Sequence, residues 1–291
     1  MISPLHFGFN IQTAATNAFQ QFLPDKEMLN KVRNEFDSMV ALLRRHGLNV
    51  EVFNDHPEII TPDSVFPNNW FSVIDNMLVL YPMLAENRRL ERRQEIIQSI
   101  QKRYNLQIVI DLTHYENEGL YLEGTGSLVL DKKNRVAYVA ISPRTSRRLA
   151  ELWCRLFNYK LVYFNASDDN GVPVYHTNVL LAVGSGYALL ASDMISDEAE
   201  RLSVLSSLVQ TGHDIILLSN DQVKAFAGNM LEVTGIDDKK LLLMSETALK
   251  SLSLTQIKLI EKHVTPIAIN VTTIENTGGG SVRCMVAEII N

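Results

Sequence analysis

Three residues that could support covalent catalysis lie far apart in this sequence but in similar local settings. Cys284 follows the glycine-rich run 278–280, where backbone N–H groups can approach a ligand and stabilise developing negative charge. His176 and Glu123 each lie in a polar loop before a predicted strand pair. A cysteine nucleophile, a histidine that transfers protons and a carboxylate that orients the histidine would together form a site for nucleophilic catalysis.

Each of these residues also has an ordinary structural interpretation. Free cysteines are commonly small buried apolar side chains, and the helical context of Cys154 fits that interpretation. The glycines before Cys284 could form a flexible turn, His176 is one of seven histidines, and Glu123 could be an exposed carboxylate. Metal binding is disfavoured because no pair of these residues has metal-ligand spacing, so no cofactor is expected.

The loops that carry these residues belong to a repeated pattern of elements. A β-hairpin, an amphipathic helix and a single strand recur about five times with a period on the order of 55 residues. A ring of five such units would bring the loops together, and pairing of residues 5–11 with 281–290 would complete the fifth hairpin and remove exposed sheet edges. We therefore predict a single α/β domain over residues 1–291. Its helices are predicted to begin near Glu27, Ala85, Arg144, Ser196 and Ser245.

Composition narrows the classes of partner. A net charge of −6 and a pI of about 5.7 disfavour a nucleic-acid partner. The basic cluster at 88–93 falls in a predicted long helix ending near Tyr104, and it is interpreted as a solvated face with local ion pairs. Two cysteines do not form a disulfide framework, and no signal peptide or membrane-spanning segment is evident. We expect a cytoplasmic protein that acts on a small molecule, with a homodimer left open.

Seven short motifs lie in the loops and strand ends of these units. They are Phe-Pro-Asn-Asn-Trp-Phe-Ser (66–72), Tyr-Pro-Met (81–83), Asn-Arg-Arg (87–89), Leu-Glu-Gly-Thr-Gly-Ser (122–127), Tyr-His-Thr-Asn-Val (175–179), Phe-Ala-Gly-Asn-Met (226–230) and Gly-Gly-Gly-Ser-Val-Arg-Cys-Met (278–285). Together they resemble the guanidine-modifying, or pentein, superfamily, which includes arginine deiminases, dimethylarginine dimethylaminohydrolases and amidinotransferases. The resemblance is greatest to its citrulline-utilisation hydrolase (citrulline ureidase) branch. It implies a fivefold pseudo-symmetric α/β propeller and a hydrolase acting on C–N bonds.

The resemblance also implies a role for individual residues. Cys284 would be the nucleophile and His176 the general acid/base, while Glu123 would hold the substrate nitrogens or the histidine. Arg144 would pair with the α-carboxylate of the substrate, for which a planar guanidinium is suited. The remaining residues expected to bind substrate are Asp63, Phe66, Asn68, Asn69, Asn178, Asn229 and Arg283.

Departures from the family pattern bear on the substrate. Arginine deiminases commonly have Asp at the positions of Asn69 and Asn178, and Thr125 and Gly126 replace the second Gly and the Asp of a Glu-Gly-Gly-Asp motif. An amide matches a neutral ureido group better than a cation, so these changes favour citrulline over arginine. The alternatives are an arginine deiminase or dihydrolase, an amidinotransferase and a non-enzymatic binding protein.

Overall fold

A computed structural model describes residues 1–289, and four three-stranded sheets of the same design account for most of its strands. In each sheet a hairpin is antiparallel, and its second strand also pairs in parallel with a third strand. The strands are β1 (Ile2–Ser3), β2 (Phe53–Asn54), β3 (Phe71–Ile74), β4 (Met77–Leu80), β5 (Ile108–Asp111), β6 (Val129–Asp131), β7 (Val136–Ile141), β8 (Lys160–Asn165), β9 (Leu181–Val183), β10 (Tyr187–Leu190), β11 (Asp214–Leu217), β12 (Leu231–Thr234), β13 (Lys240–Ser245) and β14 (Thr265–Ile269). The four three-stranded sheets are β3-β4-β5, β6-β7-β8, β9-β10-β11 and β12-β13-β14.

Helices connect the second and third strands of every sheet, as parallel pairing requires. This is the repeated unit of hairpin, helix and strand that the sequence predicts. The helices are α1 (Ile11–Ala14), α2 (Met28–Arg45), α3 (Glu86–Arg89), α4 (Gln94–Tyr104), α5 (Gly124–Ser127), α6 (Arg147–Phe157), α7 (Glu198–Gln210), α8 (Asn220–Lys224), α9 (Glu246–Ser251), α10 (Leu254–Glu261) and α11 (Thr272–Gly278).

The predicted helix starts are correct to within three residues, and two of these helices begin at a side-chain cap. Ser245 caps α9 by accepting a hydrogen bond from the backbone N–H of residue 248. Asp197, rather than Ser196, caps α7, because its carboxylate accepts the N–H of Glu200. Helix α6 begins only after Ser146, so Arg144 lies in the preceding turn.

The predicted long helix over residues 85–104 is wrong. The structure has α3 and α4, separated by residues 90–93, and Arg93 has an extended backbone with ψ of 130°. The interpretation of the basic cluster as a solvated face is also wrong for Arg88, which is only 2% exposed. Its guanidinium is directed inward to the loop at residues 63–69, which the break in the helix permits.

The predicted pairing of the two chain ends is not observed among residues 1–289. Strand β1 pairs in parallel with β2, residues 11–14 are helical, and residues 281–289 contain no strand; Ile290 of the predicted partner strand lies outside the described residues. Near this end of the chain Glu288 forms two ion pairs. Its carboxylate lies 2.9 Å from Nζ of Lys132 and 3.5 Å from the guanidinium of Arg283. The sheets are thus small and do not close through this pairing.

Apolar residues between the sheets and the helices form the core. Helix α6 shows the pattern clearly, since its buried side chains recur at helical spacing and include the fully buried Trp153. Within residues 1–289, no helix has the length and apolar character needed to cross a membrane.

Candidate active site

Short turns before the first strand of each sheet, together with one turn near the C-terminus, converge on a common region. They are residues 67–69 before β3, α5 before β6, 177–179 before β9, 226–229 before β12, and the turn 282–285 after α11. These are the five loops that the sequence analysis singled out. The pocket among them is lined by Asn17, Gln20, Asp63, Phe66, Asn69, Arg88, Arg144, Tyr175, His176, Gly278, Gly279, Gly280 and Cys284.

Cys284 is buried at the base of this pocket, 4% exposed. Its backbone N–H donates to the carbonyl of Ser281 at 2.9 Å, which fixes the turn after the glycines. Two amide nitrogens approach its sulfur: Nδ2 of Asn229 at 3.3 Å and Nδ2 of Asn178 at 3.6 Å. Both are donors, so they would stabilise a thiolate at this position.

His176 and Glu123 form a buried pair beside the cysteine. Nε2 of His176 lies 2.8 Å from Oε2 of Glu123, and neither side chain is more than 2% exposed. Oε1 of Glu123 accepts the backbone N–H of Leu84 at 3.0 Å. Because an ionised carboxylate only accepts hydrogen bonds, a neutral His176 carries its proton on Nε2, leaving Nδ1 as the basic nitrogen.

Electrostatics favours an ionised Glu123 and a neutral His176 in the ligand-free pocket. Burial alone would raise the pKa of Glu123, but Arg144 and His176 together lower it to about 2. Burial lowers the pKa of His176 to about 4, outweighing the hydrogen bond to Glu123. The imidazole is therefore able to accept a proton at neutral pH.

Arg144 lies in the pocket, as the sequence resemblance implied. Its Nη1 is 3.7 Å from Oε2 of Glu123, and its guanidinium lies 5.0 Å from the ring centroid of Tyr175. Nε and Nη2 donate to the hydroxyl of Thr16 and the carbonyl of Thr13 at 2.8 and 2.7 Å. One guanidinium thus connects the Glu123 carboxylate with the N-terminal segment over the pocket.

Two glycines of α5 allow the turns to pack closely. A Cβ at Gly124, which has φ of +49°, would lie 2.2 Å from the carbonyl oxygen of Asn68. A Cβ at Gly126 would lie 2.5 Å from Nδ2 of Asn69 and 2.7 Å from Nδ1 of His176. The position where the family pattern has an aspartate is therefore filled here by the side chains of two neighbouring turns.

The other residues predicted to bind substrate occupy different positions around this region. Phe66 packs against the glycine run, and Asp63 accepts hydrogen bonds from Asn10 and Thr13 through Oδ2. Asn68 contacts the hydroxyl of Thr125 at 3.3 Å and does not line the pocket. Polar atoms that are buried without a hydrogen-bond partner include Oδ1 of Asp63, Oδ1 of Asn68, Nδ2 of Asn69 and Oδ1 of Asn178.

The placement of the Arg283 side chain differs from the prediction. Its guanidinium donates to the carbonyl of Val286 at 3.1 Å and lies near Glu288, so it is directed away from the pocket. Only its backbone contributes, through an N–H that donates to Oδ1 of Asn229 at 3.1 Å. The side chain next to Cys284 in sequence lies on the opposite side of the turn.

Sequence reasoning missed residues that complete the pocket. Residues 10–22 cover it, with Nδ2 of Asn17 donating to the carbonyl of Gly279 at 3.1 Å and Nε2 of Gln20 donating to that of Gly278 at 3.0 Å. Nothing in the local sequence of this segment marked it as part of a site. Arg88 also lines the pocket; its place in the Asn-Arg-Arg motif was the available signal, although the basic cluster that contains it was interpreted as a solvated face.

The pocket is small. Its volume of about 20 Å³ is on the scale of one water molecule, so residues that line it must move before an amino acid can enter. A cleft of about 780 Å³ lies behind the turns and is lined by Asn178 and Arg283 among others. It is much larger, but Cys284 and His176 line the smaller pocket and not the cleft, so we place the chemistry in the smaller pocket. Within residues 1–289 there is no group of three or more His, Cys, Asp or Glu side chains placed to hold a metal ion.

Comparison with known proteins places this geometry in a family. A profile of the eukaryotic N,N-dimethylarginine dimethylhydrolase family matches residues 3–291. The chain belongs to this family. No protein among those with curated functions gives a significant match.

Solved structures of similar fold include other enzymes of arginine metabolism. The N-terminal domain of ArgZ, an arginine dihydrolase from Cyanobacteria solved as a Cys-to-Ser mutant with substrate, is 17% identical with a TM-score of 0.76, covering 98% of this chain and 95% of that one. AgrE, solved with L-arginine as a Cys-to-Ala mutant, is 16% identical with a TM-score of 0.75, and the match covers 98% of this chain and 39% of the AgrE chain. A dimethylarginine dimethylaminohydrolase, solved as an adduct with S-methyl-L-thiocitrulline, is 15% identical with a TM-score of 0.67, and the match covers 98% of this chain and 96% of that one.

These similarities concern the fold. The chain spans about 40% of the length of the longer ArgZ chain, and 95% of its N-terminal domain. At identities of 15–18%, shared architecture is what the structures establish. The α/β fold is thus that of the dimethylarginine dimethylhydrolase family and its pentein relatives, as the sequence resemblance implied.

Proposed function

We propose that the chain is a cysteine-dependent hydrolase of a linear ureido or guanidino group on a small amino acid, with citrulline as the preferred substrate. The observation that carries the proposal is the placement of Cys284 beside two amide donors and in the same pocket as His176, which is hydrogen-bonded to Glu123 behind the pocket wall. Family membership supports hydrolysis of C–N bonds. Asn178 and Asn229 at the sulfur, and Asn69 in the same pocket, support a neutral group as the substrate.

In the first half-reaction, Nδ1 of His176 accepts the thiol proton of Cys284 and the thiolate adds to the ureido carbon. The protonated imidazole then transfers this proton to the terminal amino group, which leaves as ammonia. The product is an S-carbamoyl enzyme in which the sulfur is bonded to the former ureido carbon and the amino acid remains attached through its side-chain nitrogen. Glu123 stabilises the imidazolium during this step.

In the second half-reaction, His176 accepts a proton from water, and the resulting hydroxide adds to the carbonyl carbon of the S-carbamoyl group. The C–S bond breaks, the thiolate regains the proton from the imidazolium, and the amino acid leaves as its side-chain carbamate. This carbamate decomposes to ornithine and carbon dioxide. The balance is citrulline and water giving ornithine, carbon dioxide and ammonia. Water must enter after ammonia leaves, so the cover at residues 10–22 would open between the two halves.

Arginine is the second candidate substrate. ArgZ and AgrE, which share the fold, are described with arginine or as an arginine dihydrolase, and the acceptor Oδ1 of Asp63 could bind a guanidinium as well as a ureido N–H. The family name adds methylated arginine to the substrates worth testing. Amidino transfer would require an amine in place of water, and the pocket contains no feature that favours it.

The fivefold arrangement of a single catalytic domain is also part of the proposal. Four sheets with the same strand order support it, as do the contacts that the five turns make with one another. In this arrangement β1 and β2 with α2 and α11 stand for the fifth unit, whose turn carries Cys284.

The test is to measure the release of ammonia, dimethylamine, citrulline and ornithine by the purified protein with citrulline, arginine and asymmetric dimethylarginine supplied separately. Ornithine from citrulline, lost in Cys284→Ser and retained in a matched Cys154→Ser variant, is the expected result. Cys154 is a suitable control because burial raises the pKa of its thiol to about 12, away from the pocket. Turnover by Cys284→Ser above trace would reject Cys284 as the nucleophile. Product from arginine alone would reject citrulline as the preferred substrate.

A further inference from the structure

Glu275 is a buried carboxylate that the proposed chemistry does not use. It lies in α11, ahead of the glycine run 278–280, and it is 2% exposed. It does not line the pocket that contains Cys284, so it is not placed to contact a substrate there. Burial raises its pKa, which reflects the cost of removing a carboxylate from water. A carboxylate kept at this cost so close to the nucleophile in sequence calls for a role.

The side chain of Glu275 spans the glycine run and holds the residue that follows it. The hydroxyl of Ser281, which is fully buried, donates to Oε1 of Glu275 at 2.6 Å. The backbone carbonyl of Glu275 accepts the N–H of Gly279 at 2.9 Å, where the backbone has φ of +64°. Glycine has many accessible backbone conformations, so a run of three would leave the next turn free to move. These two contacts remove that freedom by connecting the run and the residue after it to α11.

The connection continues from Ser281 to the nucleophile. The carbonyl of Ser281 accepts the backbone N–H of Cys284 at 2.9 Å, which closes the turn. Asn229 holds the other end, because its Oδ1 accepts the N–H of Arg283 at 3.1 Å and its Nδ2 lies 3.3 Å from the sulfur of Cys284. Glu275 therefore fixes the beginning of the turn, and Asn229 fixes its end.

The position of the sulfur depends on this turn, whereas the groups that act on the sulfur lie on other turns. Asn178 is in the turn before β9, next to His176, and Asn229 is in the turn before β12. The distances from these groups to the sulfur are therefore set by how the turn of Cys284 is held. A displacement of about 1 Å between reacting groups can lower a rate by about 100-fold.

We propose that Glu275 is a positioning residue for the nucleophile, which holds the hydroxyl of Ser281 and thereby fixes the turn that carries the Cys284 sulfur. The effect on turnover rests on the proposed function. The effect on the turn does not, because it concerns hydrogen bonds within the chain.

The experiment measures kcat and KM for citrulline in variants that break or keep the hydrogen bond between these two side chains. Glu275→Leu removes the acceptor and Ser281→Ala removes the donor, so each should lower kcat by about tenfold or more and change KM by less than about twofold. The double variant should lose little more than either single variant, because both changes break one bond. Glu275→Gln keeps an acceptor at Oε1 and should retain kcat within about threefold of wild type.

Glu35→Leu is the matched control for an effect that comes only from helix stability. The carboxylate of Glu35 accepts the backbone N–H groups of Thr273 and Ile274 at 2.9–3.1 Å, at the beginning of the same helix α11. Its loss should lower the melting temperature, as Glu275→Leu does, but should leave kcat within about twofold of wild type because the turn of Cys284 keeps its contacts. An equal fall of kcat in Glu35→Leu and Glu275→Leu would overturn the proposal. So would an equal fall in Glu275→Gln and Glu275→Leu.

Hydrogen exchange at the Cys284 amide tests the turn without a substrate. Mass spectrometry of peptides that span residues 281–285 should show exchange about tenfold faster in Ser281→Ala than in wild type, because the turn opens more often. If wild-type protein releases no product, the proposed function fails, and this measurement alone decides the inference: faster exchange supports it and unchanged exchange overturns it. Ser281→Ala removes a single hydroxyl group, so it remains informative if Glu275→Leu does not fold.

Discussion

His176 and Glu123 are joined by a buried hydrogen bond of 2.8 Å between Nε2 and Oε2, although 52 residues separate them in the chain. This bond directs Nδ1 toward the neighbouring turn at Gly126 and Asn69. It also places the negative charge of the carboxylate where an imidazolium would form. The pair therefore supplies both the orientation and the charge that a proton-transferring histidine needs.

Replacing Glu123 with Gln tests this arrangement. The amide is nearly isosteric, but it removes the charge that stabilises the imidazolium, so we expect kcat to fall by about 100-fold or more with a smaller change in KM. Steady-state kinetics with citrulline would measure it, and circular dichroism would establish that the variant folds. A kcat within a factor of about three of wild type would exclude a catalytic role for this carboxylate.

Acid should destabilise the protein through His176. Burial lowers its pKa to about 4, below the ordinary value of about 6.5, so between these pH values the unfolded chain binds more protons than the folded one. Stability is therefore lost as the pH falls from about 6.5 to 4, by up to about 3 kcal/mol. The lowered pKa of Glu123 acts in the same direction, but only below about 4.5.

Urea unfolding at a series of pH values would measure this loss in wild type and in His176→Gln. Glutamine can still donate to Glu123 but does not titrate, so the slope between pH 6.5 and 4 should be shallower in the variant. Parallel pH profiles for the two proteins would mean that other groups cause the acid sensitivity.

Adding one methyl group at Gly126 should impair catalysis. The new Cβ would lie 2.5 Å from Nδ2 of Asn69 and 2.7 Å from Nδ1 of His176, so one of these side chains must move. We expect Gly126→Ala to lower kcat by about tenfold or more, with a stability loss of about 1–3 kcal/mol from overpacking. Gly8→Ala is a matched control, because the nearest atom to its Cβ is 4.0 Å away. Equal, small effects of the two changes would count against close packing at Gly126.

The cover over the pocket should contribute to substrate binding through Gln20. Its Nε2 donates to the carbonyl of Gly278 and the hydroxyl of Thr13, and its Oε1 is buried without a partner. Gln20→Ala removes the bonds that hold the closed position, so KM should rise severalfold while the melting temperature changes little. The exposed neighbour Gln21 offers a control of the same residue type, and Gln21→Ala should leave KM unchanged. If both variants behave like wild type, the side chain of Gln20 has no part in closure.

Arg283 should be dispensable for catalysis despite its position next to Cys284. Its guanidinium contacts Val286 and Glu288 on the cleft side of the turn. We expect Arg283→Met to retain kcat/KM within about twofold and to lose about 1–3 kcal/mol of stability, because the guanidinium is mostly buried and its contacts with Val286 and Glu288 are lost. Kinetics and thermal unfolding would measure both effects. A tenfold rise in KM would instead indicate contact with substrate.

Local patterns in the sequence predict the elements of this fold well. Hairpins such as β3-β4, with turn residues Asp75 and Asn76 at positive φ, follow from alternation and turn chemistry. Helix starts follow from caps such as Ser245. These signals depend on neighbours within a few residues, so they are present in the sequence without knowledge of the rest of the fold.

The sequence offers Cys284, His176 and Glu123 as candidates because they lie in glycine-rich or polar loops, although local sequence alone leaves an ordinary structural interpretation open for each of them. Their convergence required the repeat and the resemblance to a family. Their distances required the structure.

The tertiary structure alone decided which side of each turn a side chain occupies. Arg88 was interpreted as solvated and is buried, whereas Arg283 was expected in the pocket and faces the cleft. The sequence shows a charged residue, but its direction depends on which partners, Glu91 or Glu288, the fold brings within reach. The same holds for residues 10–22, which cover the pocket through contacts with a loop more than 250 residues away. Contacts at such separations arise from packing of the whole chain, and no local pattern encodes them.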